Sequence, residues 1–267
     1  MTYDANAYWG RPDLERTILD ALAAGGKDID RLTIDDLAPA DQFHSGGKSS
    51  TVRLARLAGL KPGTRVLDVG GGLGGPARTL ASEFGCQVTV VDPTESYVRT
   101  GEALTARVRL TDRVSHRVGD ALALGMGDGM FDVVWTQNSG MNIADKERLY
   151  AGFARVLRPD GLLALQEPMA GPVQPPIFPV MWAPDATTNF LRAPDAMRKV
   201  VEATGFRVCV WDDVTAELAG PSTGAAVPAH AIQRIIMGDA VDEITRAGKR
   251  NRDERRIVMT QAVLERA

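Results

Sequence analysis

The chain has 267 residues, 44% hydrophobic and 24% charged, with a formal net charge of −3, which suits a globular protein with one sizeable core. Charges of both signs are interspersed, so the basic footprint of a nucleic-acid or anionic-membrane partner is missing, and no apolar run approaches membrane-spanning length. Two cysteines, far apart, and three histidines without ligand-like spacing exclude a disulfide framework and a structural zinc site. Cys86 and Cys209 both lie in apolar strand-like runs and are expected as buried thiols in a reducing compartment. The start MTYDANAYWGRPDLER has no signal layout, so a cytoplasmic location is expected.

Tyr3, Tyr8 and Trp9 form an aromatic-rich leader, either an anchor on the core or a substrate lid. A helix follows from about Asp13, with Leu14, Ile18 and Leu22 at helical spacing and Gly25-Gly26 as its stop. After a short segment ending at Pro39 comes DQFHSGGKSST, in which His44 precedes the Gly46-Gly47 pair. Ser49, Ser50 or Thr51 can cap the next helix, whose Val52, Ala55 and Leu57 or Ala58 face inward before Gly59. Its N-terminus is a place for a carboxylate, although a surface loop and a capped helix explain the same residues.

The stretch RVLDVGGGLGG, Arg65 to Gly75, then passes from a buried strand through a glycine-dense turn into the helix PARTLASEF, which stops at Gly85. Glycines 70, 72 and 74 permit positive φ and let a ligand lie on bare backbone beside a helix N-terminus. The turn satisfies both G-x-G-x-x-G and D-x-G-x-G-x-G. Asp68 tips the choice, because its carboxylate repels a pyrophosphate but suits the ammonium and sulfonium of S-adenosylmethionine. The second strand, CQVTVVD, ends in Asp92, placed to accept both hydroxyls of a ribose.

PTESYVRTGEALTARVRL reads as a helix with Thr94 as cap, and Val114 to Val118 as a strand holding a structural His116. Asp120, after that strand, is placed to accept an adenine amino group. FDVVWTQNSGMNI makes the fourth strand and a polar exit of Gln137, Asn138, Ser139, Met141 and Asn142, where an open α/β sheet presents its ligands. Asp145 to Leu157 is an amphipathic helix turned by RPDG into the strand LLALQEP, which carries Glu167 near its end. An apolar, proline-rich insertion follows, with Phe178, Met181, Trp182 and Phe190 as wall or lid residues. A helix from Asp195 to Ala203, the strand FRVCVWDD, a second insertion over 214–256 and a last edge strand IVMTQAVLER complete the pattern.

RVLDVGGGLGG, VTVVDPT, VGDALAL, FDVVWTQ and RVLRPDGLLAL occur in the order and spacing of the class I S-adenosylmethionine-dependent methyltransferases, a resemblance that covers Leu60 to Asp213. DQFHSGGKSST and WTQNSGMNIADK resemble more closely the small-molecule enzymes related to the sarcosine/dimethylglycine N-methyltransferases and the ubiquinone/menaquinone-type group. The resemblance implies an α/β, Rossmann-like, seven-stranded, mostly parallel sheet with helices on both faces, its last strand antiparallel. The expected layout is an N-terminal helical cap over 1–58 and a methyltransferase domain over 59–267, with insertions at 168–193 and 214–256.

It also implies site residues: Asp68, Gly70, Gly71 and Gly72 around the methionine moiety, Asp92 and Pro93 at the ribose, Thr94 and Ala121 beside the adenine, Asp120 on its amino group, and Gln137 near the sulfonium. In such relatives a His commonly follows that Gln. Here the position is Asn138, which cannot act as a base near neutral pH. Either the acceptor is a neutral nucleophile, or His44 or Glu167 takes the proton, or transfer has been lost. Tyr8, Trp9, Met141, Asn142, Phe178 and Trp182 are expected around a small-molecule acceptor, with S-adenosylhomocysteine as product and a homo-oligomer left open. A nicotinamide-dependent oxidoreductase and a scaffold that binds the cofactor without methylating are the alternatives.

Overall fold

The computed structural model describes residues 4–218 and 231–267. Tyr3 of the leader and residues 219–230 of the second insertion lie outside the described residues. Seven strands form one sheet in the order β3-β2-β1-β4-β5-β7-β6: β1 Arg65–Val69, β2 Gln87–Asp92, β3 Val114–Val118, β4 Phe131–Gln137, β5 Leu157–Ala170, β6 Phe206–Asp213 and β7 Ile257–Arg266. The first five run parallel, and β7 is antiparallel to both of its neighbours. The expected antiparallel last strand is present. It is not an edge strand, because it inserts between β5 and β6 and leaves β3 and β6 at the edges.

Helices connect and flank these strands: α1 Ala5–Trp9, α2 Leu14–Ala24, α3 Ile34–Asp41, α4 Gly47–Leu57, α5 Gly75–Phe84, α6 Glu95–Arg107, α7 Lys146–Val156, α8 Pro194–Ala203, α9 Ile232–Met237 and α10 Ala240–Asp253. Alternate residues of one strand feed opposite cores, as the pleat requires. Leu67 and Val69, with Val134 and Leu163, meet Tyr150 and Phe153 of α7 and Val201 of α8. Val66, with Val133 and Trp135, meets Leu54 of α4 and Leu80 of α5 on the other face. A third cluster joins Ile18 and Leu22 of α2, Leu37 of α3, Tyr97 and Leu104 of α6, and Ile232 and Ile236 of α9. None of the described helices is long and apolar enough to cross a membrane.

Four local expectations need correction. Pro39 lies inside α3, whose capping box is Thr33 with Asp36, instead of ending an irregular segment. Gly46, at φ 81°, caps α4 with no side-chain bond, while Ser50 and Thr51 turn inward; of the alternatives Leu57 or Ala58, Ala58 is the buried one. Thr94 occupies the N-cap of α6, but its side chain makes no capping bond. Cys209 is exposed, whereas Cys86 is buried; the register of β6 on β7 shifts between Val208 and Val210, which displaces Cys209 from the regular alternation.

A candidate active-site cleft at the carboxyl ends of the strands

The glycine turn after β1 carries the first wall of a cleft of about 1070 Å³. Gly70 and Gly72 take φ of 71° and 56°, open to glycine at little cost. Gly71 is needed for another reason: a Cβ there would stand 2.6 Å from Asp68 Oδ2 and 2.7 Å from Val90 Cγ1. The Asp68 carboxyl is thus packed against bare backbone, buried on the cleft wall, and its Oδ2 has no hydrogen-bond partner. Burial and the nearby charge of Asp92 push its pKa up to about 8.

Asp92, at the end of β2, accepts from Gly72 N at 3.0 Å and from Thr94 N at 2.9 Å, so both backbone groups fix the carboxylate at the cleft wall. Burial raises its pKa, against those two donors. Pro93, Thr94, Asp120 and Ala121 line the same end of the cleft. Asp120 accepts from Leu122 N at 2.8 Å through Oδ1, which orients it at the start of a short 3₁₀ turn.

Gln137 and Asn138 leave β4 at the middle of the cleft. Gln137 Oε1 accepts from Trp135 Nε1 at 3.0 Å and from Thr51 Oγ1 at 3.1 Å. Asn138 adopts φ 55°, a left-handed conformation that Asn tolerates better than most residues, and its N donates to Gln166 O at 2.8 Å. Gln137, Gln166 and Gln261 are register partners across β4, β5 and β7. Ser50 Oγ donates to Gln166 Oε1, and Gln261 Nε2 donates to the same oxygen at 2.8 Å, which ties α4 to this ladder.

His44 lines the cleft beside Ser45. Its Nε2 lies 3.0 Å from Gln42 Oε1 and 3.1 Å from Thr51 Oγ1, and its Nδ1 lies 3.3 Å from Ser45 O, so both ring nitrogens face hydrogen-bond partners. Burial lowers its pKa to about 4.

Glu167 does not line this cleft. It stands behind the exit turn, where Oε1 accepts from Gly140 N at 2.8 Å and Ser139 N at 3.2 Å, and it borders a separate small cavity with Lys146. Burial raises its pKa and lowers that of Lys146, which donates to Gly140 O, to about 8. Both partners shape the turn bearing Asn138 and Met141.

The other end of the cleft is apolar: Trp9, Phe43, Met141, Met181, Trp182, Phe190 and Ile232, with Asn142 among them. Tyr8 and Phe178 stand one layer back. The Tyr8 hydroxyl donates to Met181 O at 3.3 Å, and Phe178 packs on the cluster of Met141, Val180 and Trp182. The leader both anchors and covers, since Asn6 donates to Pro93 O and accepts from Glu95 N at 3.0 Å each while Ala5, Asn6 and Trp9 face the cleft. Asp41, Phe43 and Ile232 were not read from the sequence as site residues, whereas Ser139, expected in the polar exit, does line the cleft. The DQFH run placed Asp41 and Phe43 next to His44, but their direction follows from the packing of α3.

Residues 67–165 match the family model described as a methyltransferase domain. The chain is 33% identical over 132 residues to the glycine/sarcosine/dimethylglycine N-methyltransferase of Actinopolyspora halophila, covering 49% of this chain and 23% of that protein. It is 29% identical over 223 residues to the sarcosine/dimethylglycine N-methyltransferase of Halorhodospira halochloris, covering 80% and 76%. Its fold is similar to the crystal structure of geranyl diphosphate C-methyltransferase from Streptomyces coelicolor A3(2), with TM-score 0.70 and 17% identity over 99% of this chain and 97% of that one. Across the first four curated relatives the chain spans between 23% and 33% of their length. These matches give no support to a nicotinamide-dependent reading.

Proposed function

We propose that this chain, whose residues 67–165 match a methyltransferase-domain model, binds S-adenosylmethionine in the cleft and passes its methyl group to a small molecule, leaving S-adenosylhomocysteine. The observation that carries the reading is Asp68: a buried carboxyl oxygen without a partner, on the wall of a cleft, beside a glycine that its own bulk requires. Such a group answers a cation. Asp92, held by Gly72 and Thr94, suits ribose hydroxyls, and Asp120 with Ala121 suits the adenine. At about 1070 Å³ the cleft reaches the upper end of the usual pocket range of roughly 300–1,000 Å³, room for cofactor and acceptor together.

When bound, the cofactor supplies a methyl carbon made electrophilic by the sulfonium: the acceptor's lone pair forms the new bond while the carbon–sulfur pair returns to sulfur. The protein's part is alignment and exclusion of water. Gln137 Oε1 is held by Trp135 and Thr51, and Asn138 Oδ1 accepts from Gln166 Nε2 at 3.4 Å, so both amides are held in place at the middle of the cleft. His44, on the cleft wall, takes the proton released from the acceptor atom. A pKa near 4 suffices, because an alkylated hydroxyl is a strong acid, and it keeps the ring neutral across the working range. Glu167, tied to the backbone of the exit turn, is set aside as proton acceptor. The free thiols of Cys86 and Cys209 suit a reducing compartment, and we place the protein in the cytoplasm.

Calorimetric titration with S-adenosylhomocysteine tests the reading. Binding is expected, and Asp92→Ala should weaken it by roughly 10–100-fold, the worth of about one charge-assisted hydrogen bond. Unchanged affinity in that variant removes the ribose role, and no binding to the parent protein removes the proposal.

A further inference from the structure

The charges around the cleft are one-sided. Asp4, Asp92, Asp120 and Asp145 line it, with Asp41, which is paired to Arg78, and Asp68, whose carboxyl is held protonated by burial, and among the described residues no lysine or arginine does. The sequence of residues 1–3 and 219–230 contains neither cation as well. The nearest basic side chains are turned away and satisfied. Arg78 is fully buried on Asp41 Oδ2 at 2.7 Å and Thr105 Oγ1 at 3.0 Å. Arg11 donates to Ile236 O at 2.7 Å and Tyr8 O at 3.0 Å, and Lys146 donates to Gly140 O behind the exit turn.

At the acceptor end the wall is aromatic and thioether: Trp9, Phe43, Met141, Met181, Trp182 and Phe190. Two polar groups interrupt it. Asn142 Oδ1 is a buried acceptor without a partner, and Asn138 lies next to it at the centre of the cleft. An anionic acceptor molecule entering this end would lose its hydration and meet no lysine or arginine to replace it. A molecule with a large apolar body and one hydroxyl or N–H would fill the wall and satisfy Asn142.

Resting on the methyltransferase reading, we infer that the acceptor is an uncharged, largely apolar molecule carrying a hydrogen-bond donor, and that the cleft rejects carboxylate- and phosphate-bearing acceptors. Neutral acceptors are selected by the wall, and anions are refused by the lack of any counter-charge.

Two fluorescent probes with one skeleton test this: N-phenyl-1-naphthylamine, neutral with a single N–H, and 8-anilinonaphthalene-1-sulfonate, its sulfonated counterpart. Each is titrated into the full chain saturated with S-adenosylhomocysteine. The neutral probe should bind at least about tenfold more tightly, as expected when a like-charged, desolvated site opposes an anion. Phe190→Lys, which puts a cation into the wall, should shrink or invert that ratio. Equal or tighter binding of the sulfonate, no binding of the neutral probe, or a ratio that Phe190→Lys leaves unchanged would each overturn the inference. S-adenosylhomocysteine affinity is measured separately by calorimetry. Its absence refutes the methyltransferase reading, whereas a wrong probe preference with cofactor bound refutes only the acceptor class.

Discussion

Asp68 holds its proton because a sealed carboxyl facing a second carboxyl gains nothing by ionising until a cation lies beside it. Its folded pKa, about 8, stands above an unfolded value near 4, so the native state binds more protons between them. Stability from this group is therefore full below about pH 4 and lost as the pH rises through about 8. Thermal melts of the cofactor-free protein should fall between pH 5 and pH 8, and Asp68→Asn should flatten the fall; an identical slope in the variant would rule Asp68 out as its source. The same sign predicts proton release when S-adenosylmethionine binds at pH 7, read as a buffer-dependent calorimetric enthalpy. At Asn138 the backbone matters as much as the amide. Replacement by Ala adds the strain of a left-handed residue, on the order of 1 kcal/mol, whereas Gly removes the side chain without it. Asn138→Gly should lower turnover more than cofactor affinity, and an equal loss in both would move the residue into the cofactor shell.

Among the elements, α3 and α5 are bound by the ion pair Asp41–Arg78 at 2.7 Å, with both side chains essentially inaccessible. Arg78 also reaches Gly101 O at 3.3 Å and Thr105 on α6, so three helices meet at one guanidinium. Arg78→Met should cost about 3–5 kcal/mol by stranding a buried carboxylate, and adding Asp41→Asn should recover much of it. Urea unfolding of the four members of that cycle measures the coupling, and strict additivity would show that the pair does not act as a unit. The elements themselves were largely legible, and the reasons are local. Glycines 70, 72 and 74 and Pro76 fix a turn and a helix start, and Asp92, Asp120 and Gln137 end strands that present them to the cleft. Glu167 was misplaced because neighbours on a strand point to opposite faces. Gln166 joins the polar ladder under α4, and Glu167 turns toward Gly140 and Lys146. Which face each of them takes depends on register, and register is set by partners distant in sequence.

Across the whole molecule, the cleft is closed by parts from both ends of the fold. Asn6 and Trp9 come from the leader, Met181 and Trp182 from the proline-rich insertion, and Ile232 from the second insertion. The meeting of leader and proline-rich insertion was expected from their aromatic residues, but the arrival of Ile232 was not legible, since no spacing in one segment reports the position of another. The place of β7 was hidden for the same reason: an alternating run announces a strand without naming its neighbours. That place has a kinetic consequence. β6 is complete at Asp213, but its one neighbour, β7, begins only at Ile257, and β5 waits on the same insertion, with Gln166 meeting Gln261. Until the long intervening segment closes, the nascent sheet shows two unsatisfied edges, and a second unfolded chain can dock there as readily as β7. Refolding yield after dilution from denaturant should therefore drop steeply with protein concentration while the first-order rate stays constant, so the last strand to arrive decides whether a chain becomes native or aggregates.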